Sequence, residues 1–289
     1  MILLASFLFG AMAVCVRLAA REMPSLQIAF VRFVGSLLVL LGATRGATLR
    51  PRPGNLGRLL LRGLLGGGAI SLYYAGIQGA GAGLATLLHC TYPVSTALFA
   101  ATLMGEDFSF RVIAALALNL AGVAVIFGGG PHLSPQVTLG ALCALAASVL
   151  AGGAVATARH LRATENAWLI TTYFMAVGAV LTTPALFLGL PPLSGSLLLA
   201  LAGVVLTSVA GQWLLHQGLG FASATQGSLA AATSVVTAAG LEALLLGEHL
   251  SLQALLGACL TVSAVGLAVS RRSPSAAEKT RVGDLTPAE

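Results

Sequence analysis

The sequence predicts an all-α membrane protein of ten transmembrane helices, arranged as two inverted five-helix repeats. Three observations carry that prediction. Of 289 residues, 57% are hydrophobic and only 8% are Asp, Glu, Lys or Arg, about a third of the charged share of a soluble domain, which excludes a water-soluble globule. No charged residue occurs in 63–105, in 112–158 or in 166–241, gaps too long for the helices of a soluble core. A displacement of 142 residues superimposes Leu103, Gly105, Glu106 and Ser109 on Leu245, Gly247, Glu248 and Ser251, and Gly76 on Gly218.

A bilayer core about 30 Å thick is crossed by about 20 apolar residues in a helix, so ten crossings take about 200 residues and leave short connections. Gly, Pro and charge divide the hydrophobic runs into spans 2–20, 26–44, 59–79, 83–104, 110–128, 137–158, 167–188, 196–218, 224–246 and 251–270. The first is short, because Arg17 interrupts it and has to snorkel toward the headgroups. The segment Ser273 to Glu289 holds Lys279, Arg281, Asp284 and Pro287 and too little apolar surface to fold, which predicts a disordered tail.

Positively charged loops are retained on the cytoplasmic side. With the amino terminus inside, Arg45, Arg50, Arg52, Arg58, Arg62, Arg111, Arg159 and Arg162 fall in inner connections, and Arg271, Arg272, Lys279 and Arg281 fall in the tail. Arg17 and Arg21 are left outside, so both termini are predicted cytoplasmic. The net charge of +6 reflects this orientation. The arginines are dispersed with no basic stripe, which argues against nucleic acid. Cys15, Cys90, Cys143 and Cys259 are far apart in apolar runs, without zinc or disulfide spacing; no metal or cofactor is called for. No basic stretch precedes Ile2 to Val16, which argues against a cleaved leader, and the native start is expected to lie a few residues upstream. Lys279 is the only lysine, a bias of GC-rich genomes, and the expected location is a bacterial cytoplasmic (inner) membrane.

The 142-residue period spans five helices. Repeats with an odd number of spans enter the membrane in opposite directions, the arrangement that underlies alternating access around a central site. The expected units are 1–131 and 132–272, with Glu106 near the inner face and Glu248 near the outer one. Both glutamates close helices and are expected to be structural, Glu106 pairing with Arg111 or capping the next helix.

Pro24, Phe30-Val31-Arg32-Phe33, Tyr92-Pro93, Gly105-Glu106 and Gly122-Val123, followed by Gly247-Glu248, Gly257 and Gly266, resemble the EamA-type repeat of the drug/metabolite transporter superfamily. The resemblance extends nearly to Arg272. It implies ten helices in two inverted repeats and the export or exchange of small metabolites. Two departures stand out: Val235 replaces Pro93 in the second repeat, and no arginine there matches Arg32.

Candidate substrate-binding residues are polar groups in lipid-length helices, which face the protein interior or a wet cavity. In the fourth span Thr86, His89, Pro93 and Thr96 share one face, and Pro93 frees the carbonyl of His89; a kink with a structural histidine is the alternative. The third span offers Ser71, Tyr74 and Gln78, and the eighth Gln212, Trp213 and His216, with Tyr74 or Trp213 alternatively an interfacial anchor. Gln226, Thr225 and Ser228 add hydrogen-bonding capacity in the ninth span. Gating or coupling falls to Arg32 and Glu242, Arg32 snorkelling outward or closing a gate by pairing with polar groups there, with binding of an anionic substrate group as the alternative. Gly79 to Gly83 would hinge the third helix on the fourth.

The expected function is a carrier exporting a small organic solute by alternating access. With no arginine expected at mid-depth, its cargo should be neutral or zwitterionic, amino-acid-like. A multidrug exporter or a lipid-linked-sugar flippase on the same fold is the alternative. An intramembrane enzyme using His89 and Cys90 or His216 lacks a nucleophile and base in a recognisable pattern. The expected partners are the solute and membrane lipid, with a homodimer left open.

Overall fold

The computed structural model describes residues 1–43, 50–105, 110–127, 135–189, 191–246 and 252–269. The described residues are helical and contain no strand. In chain order the α-helices are α1 (Ile2–Ala19), α2 (Ser25–Ala43), α3 (Leu56–Ala80), α4 (Ala82–His89), α5 (Tyr92–Met104), α6 (Phe110–Phe127), α7 (Pro135–Leu161), α8 (Ala167–Leu181), α9 (Gly195–Gly218), α10 (Ala224–Ala232), α11 (Ser234–Leu246) and α12 (Leu252–Val269).

Among these residues, seven stretches are long and apolar enough to cross a membrane: α1, α2, α3, Leu84–Leu103, α7, α9 and Ala224–Leu245. The three other predicted segments are α6, α8 and α12. Among the described residues many large apolar side chains face outward, while several long polar ones are buried within an otherwise apolar core. Leu3, Leu4, Phe7, Leu38, Leu60, Leu61, Leu64, Val180, Leu198, Leu199 and Leu206 are exposed, whereas Gln27, Arg32, Arg62, Gln212 and His216 are buried. Lipid rewards that inversion and water does not.

Capping and small residues explain the helix ends and seams. Asn166 Oδ1 accepts from Leu169 N (2.7 Å), Ser194 Oγ from Leu197 N (3.0 Å) and Ser223 Oγ from Gln226 N (3.1 Å), satisfying amides that lack an intrahelical partner. The most extensive seams join α3 to α7 and α1 to α9. At the first, a Cβ on Gly140 would lie 2.7 Å from the Ala80 nitrogen. Only glycine permits that approach.

Three predicted spans differ from expectation. The seventh ends as an α-helix at Leu181, after which Pro184 sits in a 3₁₀ helix, Thr183–Leu188, where its missing N–H costs no intrahelical bond. The fourth and ninth each break in two, at Cys90–Thr91 and at Thr233. At the first break the Thr91 hydroxyl lies 2.8 Å from the Leu88 carbonyl and 3.0 Å from Ser148 Oγ. At the second, the Thr233 hydroxyl lies 2.8 Å from the Ala230 carbonyl and 2.6 Å from Ser6 Oγ. Each of these residues maps on its counterpart with the displacement of 142. Gly10 and Gly152 match in the same way: an added Cβ would stand 2.9 Å from the Ala238 nitrogen and 2.6 Å from the Thr96 nitrogen, respectively.

Carboxylates clasp the helix starts of the other half. Glu22, after α1, accepts from Ser194 and Ser196 at the start of α9 (2.6 and 3.1 Å). Glu165, after α7, accepts from Arg52 N and Asn55 Nδ2 before α3 (2.8 Å each). Glu106, Glu248 and the tail after 272 lie outside the described residues, as do the side chains of Arg111 and Glu242.

Candidate functional site

A cavity of about 80 Å³ lies among α1, α3, α4, α5, α7, α8, α9, α10 and α11. At about 10–15 Å³ per water position, it holds roughly half a dozen heavy atoms, the size of a small amino acid. Its bulky lining comes largely from the first half: Phe9, Met12, Arg62, Ile70, Tyr73, His89 and Tyr92. From the second half come Ala151, Ala154, Val155, Phe174, Gln212, Leu215, Ala231 and Ser234. Phe9 and Ala151, Met12 and Ala154, Ile70 and Gln212, Tyr73 and Leu215, His89 and Ala231, and Tyr92 and Ser234 are all 142 residues apart. The cavity is therefore lined by matching positions of the two halves, but five of these six pairs set a larger side chain from the first half against a smaller one.

Arg62 dominates its electrostatics. The sequence places this residue in an inner connection; instead α3 begins at Leu56 and carries it inward, 3% exposed. Leu59, Arg62, Gly63, Gly66, Gly67 and Ile70 form the buried stripe of α3, while Leu60, Leu61 and Leu64 face outward. The Arg62 guanidinium lies 4.3 Å from the centroid of the Phe174 ring, a cation–π contact. Its Nη2 donates to His216 Nε2 (3.2 Å) and reaches Gln212 Oε1 at 3.5 Å. Its Nε and Nη1 are buried without a hydrogen-bond partner among the described residues.

These contacts fix the histidine. Because Nε2 accepts from arginine, the ring proton sits on Nδ1, which donates to Thr171 Oγ1 (2.7 Å); Thr171 in turn donates to the Ala167 carbonyl (2.7 Å). The hydrogen-bond network thus assigns a neutral histidine tautomer. Gln212 and His216 hold one side of the guanidinium through Nη2. The expected site without arginine is corrected: Arg62 lines the cavity, and Arg32, placed within its span by the sequence, is buried as well (0% exposed). Nor does Arg32 snorkel outward. Its Nε donates to Ser208 Oγ (2.7 Å), and it lies among the rings of Phe33, Tyr74 and Phe174.

Of the other candidates, His89 lines the cavity and stacks on Tyr73, ring centroids 4.4 Å apart. Thr86 is one layer behind, bonded to the Tyr73 hydroxyl (2.5 Å). Of the two adjacent tyrosines of α3, Tyr73 and not Tyr74 lines the cavity. Tyr74 is fully buried beside Arg32, so it is no interfacial anchor. Ser71 bonds back to the Gly67 carbonyl (2.9 Å), and exposed Gln78 accepts from Ser25 N (3.1 Å). Thr96 bonds back to the Tyr92 carbonyl (2.9 Å), and Pro93 starts α5; neither lines the cavity. Trp213 packs on Trp168, centroids 5.3 Å apart, and is also outside it. Gln226 is exposed, and Ser228 bonds back to Thr225. Gly81, at φ +86° between α3 and α4, marks the turn where the hinge was expected.

No group of three or more metal-ligating side chains occurs among the described residues. Cys90 Sγ lies 3.6 Å from Ser234 Oγ, and the two ring nitrogens of His216 are engaged by Arg62 and Thr171.

Two curated relatives are similar over part of their length. The pseudopaline exporter of Pseudomonas aeruginosa is 29% identical over 185 residues, 64% of this chain and 64% of that protein. The "Probable terminal-alkyne amino-acid exporter" of Streptantibioticus cattleyicolor is 32% identical over 154 residues, 53% of this chain and 51% of that one. The matches thus span less than two thirds of either relative. One protein crystal structure superposes with a TM-score of 0.73 at 20% identity, over 93% of this chain and 95% of that chain, a likeness of fold. The model of the EamA-like transporter family matches residues 1–128 and again 138–270. The chain is a multi-pass membrane protein and belongs to the EamA-like transporter family.

Proposed function

We propose that this protein exports a small, carboxylate-bearing, amino-acid-like metabolite across the cytoplasmic membrane by alternating access. The observation that carries the reading is Arg62: a guanidinium on the cavity wall, held from behind by His216 and Gln212, with Nε and Nη1 unpartnered. Each of these donors can give one charge-assisted hydrogen bond to a carboxylate oxygen. The apolar and aromatic remainder of the cavity suits a short side chain, and the ring faces of Tyr73 and Tyr92 suit an ammonium. The names of the two relatives, both exporters, support direction and class.

The same proposal has ten membrane spans in two inverted units, 1–131 and 132–272, with both termini cytoplasmic. It is supported by the two family matches, by the reciprocal Thr91–Ser148 and Thr233–Ser6 pairs and by a cavity lined by residues 142 apart. Counter-directed opening of two such halves is the usual route to alternating access.

The test is counterflow in proteoliposomes, comparing amino acids with their methyl esters and decarboxylated amines. Amino acids are expected to exchange and the esters and amines not to. Arg62→Gln is expected to lower uptake about 100-fold, the scale of a lost charge-assisted pair of about 3 kcal/mol, with monodisperse protein retained. Equal transport of amines and amino acids, or an unchanged Arg62→Gln variant, overturns the reading.

A further inference from the structure

We infer that Arg32 is a second carboxylate station, separated from Arg62 by the ring of Phe174. This rests on the reading of Arg62 as the first station.

Three observations carry it. Arg32 is 0% exposed, and apart from Nε its donors are idle: Nη1 and Nη2 are buried with no hydrogen-bond partner among the described residues. Two neighbouring hydroxyls are also without a partner among the described residues. The Tyr74 hydroxyl is buried and unpartnered, and so is the Ser36 hydroxyl, one helical turn along α2 on the same face. A desolvated cation without an anion is costly to keep, and the rings of Phe33, Phe174 and Tyr74, 5.0 to 5.8 Å from its Cζ, compensate charge without accepting those N–H bonds. A carboxylate accepts both.

The partition is movable in principle and fully placed. Phe174 lines the cavity, its ring centroid lies 4.3 Å from the Arg62 guanidinium and 5.7 Å from that of Arg32, and it meets Phe33 edge-on at 5.4 Å. Its ring needs the missing Cβ of Gly66, which would stand 2.6 Å from Phe174 Cε2. Rotation of this one ring is the step that would open a path from the cavity to Arg32. The solute's carboxylate then passes from one guanidinium to the next without meeting an unpaired, desolvated step. Positions 32 and 174 are themselves 142 apart, so the arginine of one half and the ring of the other occupy matching places.

The experiment counts binding sites for radiolabelled propionate on purified full-length protein, with propionamide as the uncharged control. Two sites are expected in the wild type, one in Arg32→Gln and one in Arg62→Gln. The site retained in Arg32→Gln shows that this variant is folded. Tyr74→Phe, a milder change, is expected to weaken the second site about tenfold, the scale of one hydrogen bond to a charged group, and to leave the first site unaltered. Phe174→Trp is expected to slow exchange at the second site without removing it. A single wild-type site that disappears in Arg62→Gln overturns the second station while sparing the first. Binding that survives intact in Arg62→Gln overturns both, and failure of Arg32→Gln to fold passes the decision to Tyr74→Phe, where an unchanged pair of affinities overturns the station.

Discussion

The two broken helices differ in the feature that sequence makes most visible and agree in the one it hides. The α4–α5 break has Pro93 just beyond it; the α10–α11 break has Val235 in the matching place and no proline. Both nevertheless break, at Thr91 and at Thr233. What they share is a threonine hydroxyl turned back on the carbonyl three residues earlier and met by a serine of the other half. The hydroxyl offers the backbone an alternative to the helical ladder. Proline accommodates the first break, and threonine is common to both.

That comparison can be broken in three ways. The largest effect is expected where the halves touch most closely: Gly10→Val and Gly152→Val should each destabilise by about 1–3 kcal/mol or more through overpacking, measured as loss of monodisperse protein and a lower melting temperature. Unequal losses would show that the two seams are not equivalent. Next, Thr91→Val and Thr233→Val should each cost about 0.5–1.5 kcal/mol for the lost hydroxyl bonds, by thermal unfolding in detergent; a neutral Thr233→Val would take the break away from threonine. The smallest effect is expected for Pro93→Ala, no more than about 0.4–1 kcal/mol through the unfolded chain, with transport retained. If Pro93→Ala instead abolishes transport, proline sets the first break and the two regions work differently.

The long apolar runs were legible because the bilayer imposes one length on all of them, and that length appears directly as charge-free sequence. The breaks were not, since a hydroxyl reads as polar wherever it points. Pro93 drew attention to the right helix for the wrong group. Arg62 was missed because a charge near the end of an apolar run ordinarily belongs to water. The available signal was periodic: Leu59, Arg62, Gly63, Gly66, Gly67 and Ile70 repeat at helical spacing opposite Leu60, Leu61 and Leu64, which puts the arginine on the small-residue face and the leucines on the lipid face. The choice of Tyr73 over Tyr74 for the cavity had no such signal, because adjacent aromatics differ only by the rotation of their helix. Gln212, His216 and His89 were legible as buried polar groups, but their division into a brace for Arg62 and a cavity wall needed the packing of α3 against α8 and α9.

The two carboxylate clasps and the α1–α9 and α3–α7 seams all bridge the chain's midpoint. A polypeptide of half this size would accordingly lack one partner of each clasp and of each seam. Severing the chain near residue 131 should likewise yield two fragments that are unstable apart and competent only when made together.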